Sequence, residues 1–355
     1  MSKLYSNLKF LQYGDRIDAW REGYMVAPVH VRIKPINRCN HACWYCAYRA
    51  DDLQLGEGMD LSDKIPEEKM GEIVDDLIAM KVKAVTFSGG GEPLLYRPLP
   101  DVIERLGSAG ISVASLTNGS NLKGRMADAF ARWGTWIRVS LDAWDNDSYA
   151  QARGVDKGQF TQLLRNITDF SARGSACVLG VSFIVGEANH GHVLDLCRQL
   201  KDAGVNHVKV SGAVVANDRE ANNLYHRRLA STVGEQIRLA QQELGDDRFA
   251  VIDHYHELDD LFAKSYRTCP FLQFLTVIGA DCRVYTCQDK AYTQGGLLGS
   301  IRDRSFRDFW FSEENRQRVH GLDPSVSCRH HCVAHGKNQV LHEVLSIDPN
   351  HACFV

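Results

Sequence analysis

The chain has 355 residues, of which 44% are hydrophobic, and its 41 basic and 44 acidic side chains leave a formal net charge of −3. That composition suits a globular chain with one large core and a second, smaller one, and the near balance of charge excludes the basic footprint of a nucleic-acid or anionic-membrane binder. No apolar run reaches the roughly 18 residues of a membrane-spanning helix, and Met1–Lys9 lacks the apolar core of a signal peptide, so a cytoplasmic location is expected.

Six runs rich in Val, Ile, Leu and Phe predict strands at Val29–Ile36, Ala84–Ser88, Ser112–Thr117, Trp136–Leu141, Val178–Val185 and His207–Ser211. Helical patterns separate them, at Pro66–Met80, Phe160–Arg173 and His192–Ala203. Strand alternating with helix implies right-handed βαβ units and a parallel sheet. Six strands rather than eight predict an α/β fold with an incomplete, open barrel, whose functional loops collect at the strand C-termini. Asn217–Leu244 is polar and helical. From Arg267 the text turns to short runs, turn residues and cysteines. The expected organisation is an N-terminal extension over 1–28, a partial (β/α)6 barrel over 29–245, and a smaller α+β domain over 246–355, with a poorly structured tail at Asp348–Cys353.

Eleven cysteines are many for a cytoplasmic chain, where disulfides are rare and clustered thiols point to metal or catalysis. Cys39, Cys43 and Cys46 directly follow the first strand. A zinc site there needs four ligands, with His41 as the fourth. A ferredoxin-type run needs a fourth cysteine followed by proline, which is missing. Three thiolates on a four-iron cluster leave one iron open to another ligand.

Cys-x3-Cys-x2-Cys on the loop after a first strand resembles the radical S-adenosylmethionine (SAM) signature. The resemblance implies a four-iron cluster whose open iron chelates SAM, and reductive cleavage of SAM to a 5′-deoxyadenosyl radical. Tyr45 matches the aromatic position near the adenine. Ser88-Gly89-Gly90-Gly91-Glu92-Pro93, ending the second strand, matches the Gly-Gly-Glu motif that meets the SAM amino group. Its glycines are expected to let the backbone approach the cofactor. Asn118 at the end of strand three, Ser140 and Asp142 at the end of strand four, Arg153 before Gly154, and Ser182 on strand five fall where relatives contact SAM. The plain alternative for Ser140, Asp142 and Ser182 is strand-end polarity.

In the last third, Phe274–Ile278 and the segment ending at Cys287 read as a hairpin turning near Gly279–Arg283. It brings Cys269 and Cys287 to one end, and Cys328 and Cys332 supply two more thiols. Four such thiols suit structural zinc. Their order resembles the auxiliary-cluster domain of many radical SAM enzymes, in its one-cluster "twitch" form rather than the two-cluster SPASM form. The resemblance implies one auxiliary [4Fe-4S] cluster on Cys269, Cys287, Cys328 and Cys332, with His331 a weak substitute for the last. Cys282 stands where relatives have the hairpin glycine, and is either an incidental thiol or a hydrogen-atom donor. Cys177 and Cys197 read as buried small apolar residues.

Taken with its auxiliary thiols, the chain resembles a radical SAM oxidoreductase. Such an enzyme is expected to remove a hydrogen atom from a small polar substrate of sugar, aminocyclitol or nucleoside type, toward two-electron oxidation. Flavodoxin or ferredoxin supplies electrons, and Asp142, Glu187 or His207 accepts the alcohol proton. Epimerisation, dehydration, decarboxylation or peptide modification are the alternatives within the family, and a non-catalytic zinc or electron-transfer protein the alternative outside it.

Overall fold

The computed structural model describes residues 4–49, 56–255, 262–348 and 350–354. Its centre is one sheet. Seven parallel strands run in sequence order: β1 His30–Ile33, β2 Ala84–Phe87, β3 Ser112–Thr117, β4 Gly134–Ser140, β5 Val178–Val185, β6 His207–Gly212 and β7 Ala250–Asp253. On the other edge of β1, β8 Leu275–Ile278 joins in parallel, followed by antiparallel β9 Arg283–Tyr285 and β10 Leu297–Ser300. The expected α/β class with an open parallel barrel is what forms.

Two expectations change. The barrel sheet has a seventh parallel strand, β7, too short to announce itself in sequence, and it pairs with β6 over His207–Val210. It lies beyond the boundary expected near residue 246. The cysteine-bearing hairpin extends the barrel sheet through four register pairs, His30 with Leu275 to Ile33 with Ile278, so one hydrogen-bonded sheet runs across that boundary.

The strands have two unlike faces. Val31, Ile33, Val85, Phe87, Val113, Ile137, Val139, Val181, Phe183, Val208 and Val210 are fully buried in the main core. There they meet helices such as Glu67–Ala79, which contributes Ile73, Val74 and Leu77. Alternate residues point the other way, as the two-residue period requires. They include Arg32, Lys34, Thr86, Trp136 and Ser140, which line cavities inside the barrel. The N-terminal segment packs Phe10 and Ile17 against Phe274 and Leu341. It also sends Tyr5 to the lumen face, where its hydroxyl lies 3.0 Å from His207 Nε2.

Candidate active site

The loop leaving β1 is held by backbone contacts to the β2 loop: Gly91 N–H donates to the Ile36 carbonyl (3.2 Å) and Glu92 N–H to that of Arg38 (3.0 Å). A Cβ on Gly90 would strike the Asn37 side chain, and one on Gly91 the Asn37 and Arg38 carbonyls. The glycines are therefore needed for the cysteine loop itself to pack on β2. Further along, Ala42 N–H donates to the Arg153 carbonyl (2.8 Å) and Arg49 Nη1 to the His41 carbonyl (3.0 Å).

So fixed, Cys39, Cys43 and Cys46 line a cavity of 370 Å³ together with Tyr45, Gly89, Gly90, Gly91, Asn118, Ser140 and Arg153. Burial pushes the Cys39 and Cys46 thiols up, opposed at Cys39 by the His41 N–H and at Cys46 by the Tyr48 N–H. Among the described residues no fourth thiol lines this cavity. The donor set fits a four-iron cluster with one iron left for a non-protein ligand. His41 also lines it, edge-on to Tyr149, with Nδ1 buried and unpartnered.

Behind the loop lies a buried ion pair. Arg153 Nη2 meets Asp142 Oδ2, with side-chain exposures of 3% and 2%. Arg153 Nη1 also reaches Cys43 Sγ (3.4 Å), and its guanidinium lies 5.4 Å from the Tyr45 ring centroid. Asp142 accepts from the Tyr45 hydroxyl and from Ile184 N–H (2.8 Å). Its carboxylate is thus committed to orienting Arg153 and Tyr45. Glu92 is similarly engaged, accepting from Thr117 Oγ1 (2.5 Å), Asn118 N–H (2.7 Å) and Leu94 N–H (3.0 Å). Burial raises its pKa and these donors oppose the rise. The Asn118 amide donates to Asn40 (2.8 Å). Ser182 sits on β5 beside Ser140, its carbonyl accepting from Leu141 N–H (3.0 Å).

Cys269, Cys287, Cys328 and Cys332 come together on a second cavity of 750 Å³. Burial pushes Cys269 and Cys332 up to about 12, with neighbouring thiols adding to the rise, and raises Cys287 well above the usual range. Burial therefore keeps these groups as neutral thiols, and a bound metal would be what stabilises them as thiolates. Asn338 Nδ2 donates to Cys269 Sγ (3.3 Å). Of the two adjacent histidines, His330 rather than His331 approaches this group: its ring, Asp289 and Cys287 have ligand atoms within 4.8 Å of one another. His331 lies against Phe262.

Cys282 lines neither cavity. It is buried in the hairpin turn with φ +58°, the left-handed region that favours glycine. Cys177 and Cys197 sit in the main core and Cys353 is exposed. Glu187 is exposed, and His207, pushed down to about 4 by burial and by Arg138, bonds Tyr5.

Sequence reasoning missed Lys34, which lines the cysteine cavity while only 1% exposed. Its ammonium donates to the Tyr48 hydroxyl (2.6 Å) and the Gly89 carbonyl, and burial, with Arg32 nearby, pushes it down to about 7. It also missed Arg32, Gln288 and Asp289, which line both cavities and so mark where the two meet. The alternation His30-Val-Arg32-Ile-Lys34 was the available signal.

Residues 33–189 match the family model of the radical SAM superfamily. The chain is 30% identical over 176 residues to the GTP 3′,8-cyclase of Xanthomonas axonopodis pv. citri, 49% of this chain and 52% of that protein; it spans about half the length of the curated relatives it matches. In fold it is similar to Streptococcus suis SuiB bound to precursor peptide SuiA (TM-score 0.63, 14% identity, 94% of this chain and 78% of that one). It is also similar to anSMEcpe with bound AdoMet (TM-score 0.60, 14% identity, 90% and 97%).

Proposed function

From a chain that carries a radical SAM domain, and with it the superfamily's four-iron cluster and SAM, we propose an enzyme that abstracts a hydrogen atom from a small polar substrate of sugar or nucleotide type and oxidises it by two electrons. The observation that carries this reading is the meeting of the two cysteine-lined cavities at Arg32, Gln288 and Asp289. When bound at Cys39, Cys43 and Cys46, the first cluster with SAM would supply hydrogen-abstracting chemistry, and an auxiliary cluster at the later cysteines would supply a one-electron acceptor.

Cys39, Cys43 and Cys46 hold the first cluster, and Cys269, Cys287, Cys328 and Cys332 the second. Tyr45, the Gly90–Gly91 backbone, Asn118, Ser140 and Ser182 shape the SAM site. Arg153, held by Asp142, fixes the cysteine loop, and Glu92 ties β2 to β3. Lys34 is the proton acceptor: it borders the SAM-side cavity and its depressed pKa gives it a neutral fraction near neutrality. Asp142 is committed elsewhere, and Glu187 and His207 lie outside the cavity lining. A ferredoxin or flavodoxin supplies the electron.

Nucleotide-type chemistry is supported by the relative's name, GTP 3′,8-cyclase. That name also favours a second, redox-neutral reading. Product mass separates the two: a loss of two hydrogens supports oxidation, and an unchanged mass or a loss of water supports rearrangement or dehydration. The test is anaerobic reconstitution with dithionite, SAM and deuterated sugars and nucleotides. Deuterium in 5′-deoxyadenosine is expected, whereas stoichiometric zinc with no SAM cleavage would refute the enzyme.

A further inference from the structure

The lumen of the barrel carries cations that the chemistry so far does not use. Arg32 on β1 and Arg138 on β4 both stand on the inward face, opposite in direction to the core residues Val31, Ile33, Ile137 and Val139. Arg32 has no hydrogen bond or ion pair among the described residues, and its Nε is sealed from solvent without a partner. Arg138 donates through Nη1 to the Tyr5 hydroxyl (2.9 Å), and its Nε is likewise buried and unpartnered. Neither has a carboxylate within 4 Å among the described residues. The acid whose charge acts on Arg32 is Asp289, whose Oδ2 already accepts from Val333 N–H (3.0 Å). Arg138 adds a like charge that opposes protonation of Arg32. Lys34 and Lys209 lie on the same face, Lys34 with no acid within ion-pair distance among the described residues. His30 and His207 beside them are neutral, pushed down to about 3 and about 4 by burial and by Arg32 and Arg138 respectively.

A half-buried guanidinium whose Nε is sealed from solvent and which has no counter-ion beside it is costly unless something else supplies the charge. The wall running from Arg32 to Trp136, the inward neighbour of Arg138 on β4, leaves room. Thr86 and Ala114 occupy the register positions between Arg32 and Trp136, and both line the larger cavity. Arg32 itself stands where the two cavities meet. Guanidinium is the side chain suited to a planar or tetrahedral oxyanion, because its fork donates two parallel hydrogen bonds.

We propose that Arg32 and Arg138 form an anion subsite in the barrel lumen, which takes a phosphate or carboxylate group of the substrate and holds the rest of the molecule between the two cysteine-lined cavities. This deepens the proposed function and rests on it for the word substrate, while the anion site itself stands on the lumen alone. The substrate is then a phosphorylated or carboxylated sugar or nucleotide, and an uncharged sugar is the wrong class. Tyr5, bonded to both Arg138 and His207, closes the lumen beneath the bound group.

The test is calorimetric titration of the anaerobically reconstituted protein, with SAM present, using inorganic pyrophosphate and citrate as probes. At least one probe is expected to bind the wild type. Tighter pyrophosphate binding assigns a phosphoryl group, and tighter citrate binding a carboxylate. Arg32→Gln and Arg138→Gln are each expected to weaken binding at least tenfold. Arg105→Gln, which breaks only the surface pair with Asp75, is expected to leave binding unchanged. Where a Gln variant fails to fold, Arg32→Lys keeps the charge without the fork and is expected to weaken binding severalfold. The inference is overturned if neither probe binds the wild type. It is equally overturned if Arg32→Gln shifts a cluster potential while anion affinity stays the same, since Arg32 then only balances cluster charge. A wild type that binds pyrophosphate but cleaves no SAM would instead refute the enzymatic reading and leave the anion site standing.

Discussion

Asp142→Asn tests whether the buried Asp142–Arg153 pair organises the cysteine loop. The substitution keeps the shape and removes the counter-charge from a guanidinium whose side chain is 3% exposed. Removing one partner of a buried pair costs about 3–5 kcal/mol, because the other charge is left uncompensated. The upper part of that range is expected here. Asn offers one acceptor where Asp142 now receives Arg153, the Tyr45 hydroxyl and Ile184 N–H. Its amide would also turn a donor toward donors. A loss of about 4 kcal/mol lowers the folded-to-unfolded ratio roughly a thousandfold. Urea unfolding of the metal-free, reduced protein measures it. Adding Arg153→Met should recover about 2–3 kcal/mol, since an apolar replacement removes the stranded charge. It should not recover iron retention at the first site, because the Arg153 side chain that reaches Cys43 is gone. Asp142→Asn within about 1 kcal/mol of wild type, or a double variant no more stable than the single one, would refute the reasoning.

Alanine at Cys39, Cys43 or Cys46 should remove about four irons and abolish SAM cleavage, whereas alanine at Cys287 or Cys328 should remove a separate set of about four; iron assay and deoxyadenosine yield distinguish them. Lys34 is depressed from 10.5 to about 7, so between those pH values the unfolded chain binds the extra proton, and stability should rise with pH across that window. Lys34→Met should remove this slope and be more stable near pH 7 by up to about 4 kcal/mol in urea titrations of the metal-free protein, while slowing turnover. An unchanged slope would show that Lys34 is not desolvated. Cys282→Gly should keep product formation and change stability by no more than about 1 kcal/mol, as relief of the left-handed φ offsets lost sulfur burial. Deoxyadenosine without product in that variant would reinstate Cys282 as a hydrogen donor.

Much of this was legible because it depends on local pattern. The strands Ser112–Thr117 and Val178–Val185 form with the limits their β-branched runs predict. The short cysteine spacing fixes a shared loop whatever surrounds it. Other features were not legible, since they depend on partners distant in sequence. β7 has four residues, and its strand character comes from pairing with β6. Asp142 reads from sequence as a polar strand end, and only the fold sets Arg153, Tyr45 and Ile184 N–H against its carboxylate. Gly90 and Gly91 read as cofactor glycines, and only the fold shows that they also leave room for Asn37 and Arg38.

By itself the sequence determined the chemistry on offer: three thiols with an open fourth place, a glycine-rich second strand, and four later thiols, all set by covalent spacing. Only the tertiary structure decided what those parts face. Parallel pairing of β8 with β1 carries the later thiols to the barrel. The two-residue period of β1 then turns Arg32 and Lys34 inward, where their cavities meet. The physical reason is that spacing along a chain is a local property. Desolvation of a charge, and the counter-charge it needs, are set by every segment packed around it.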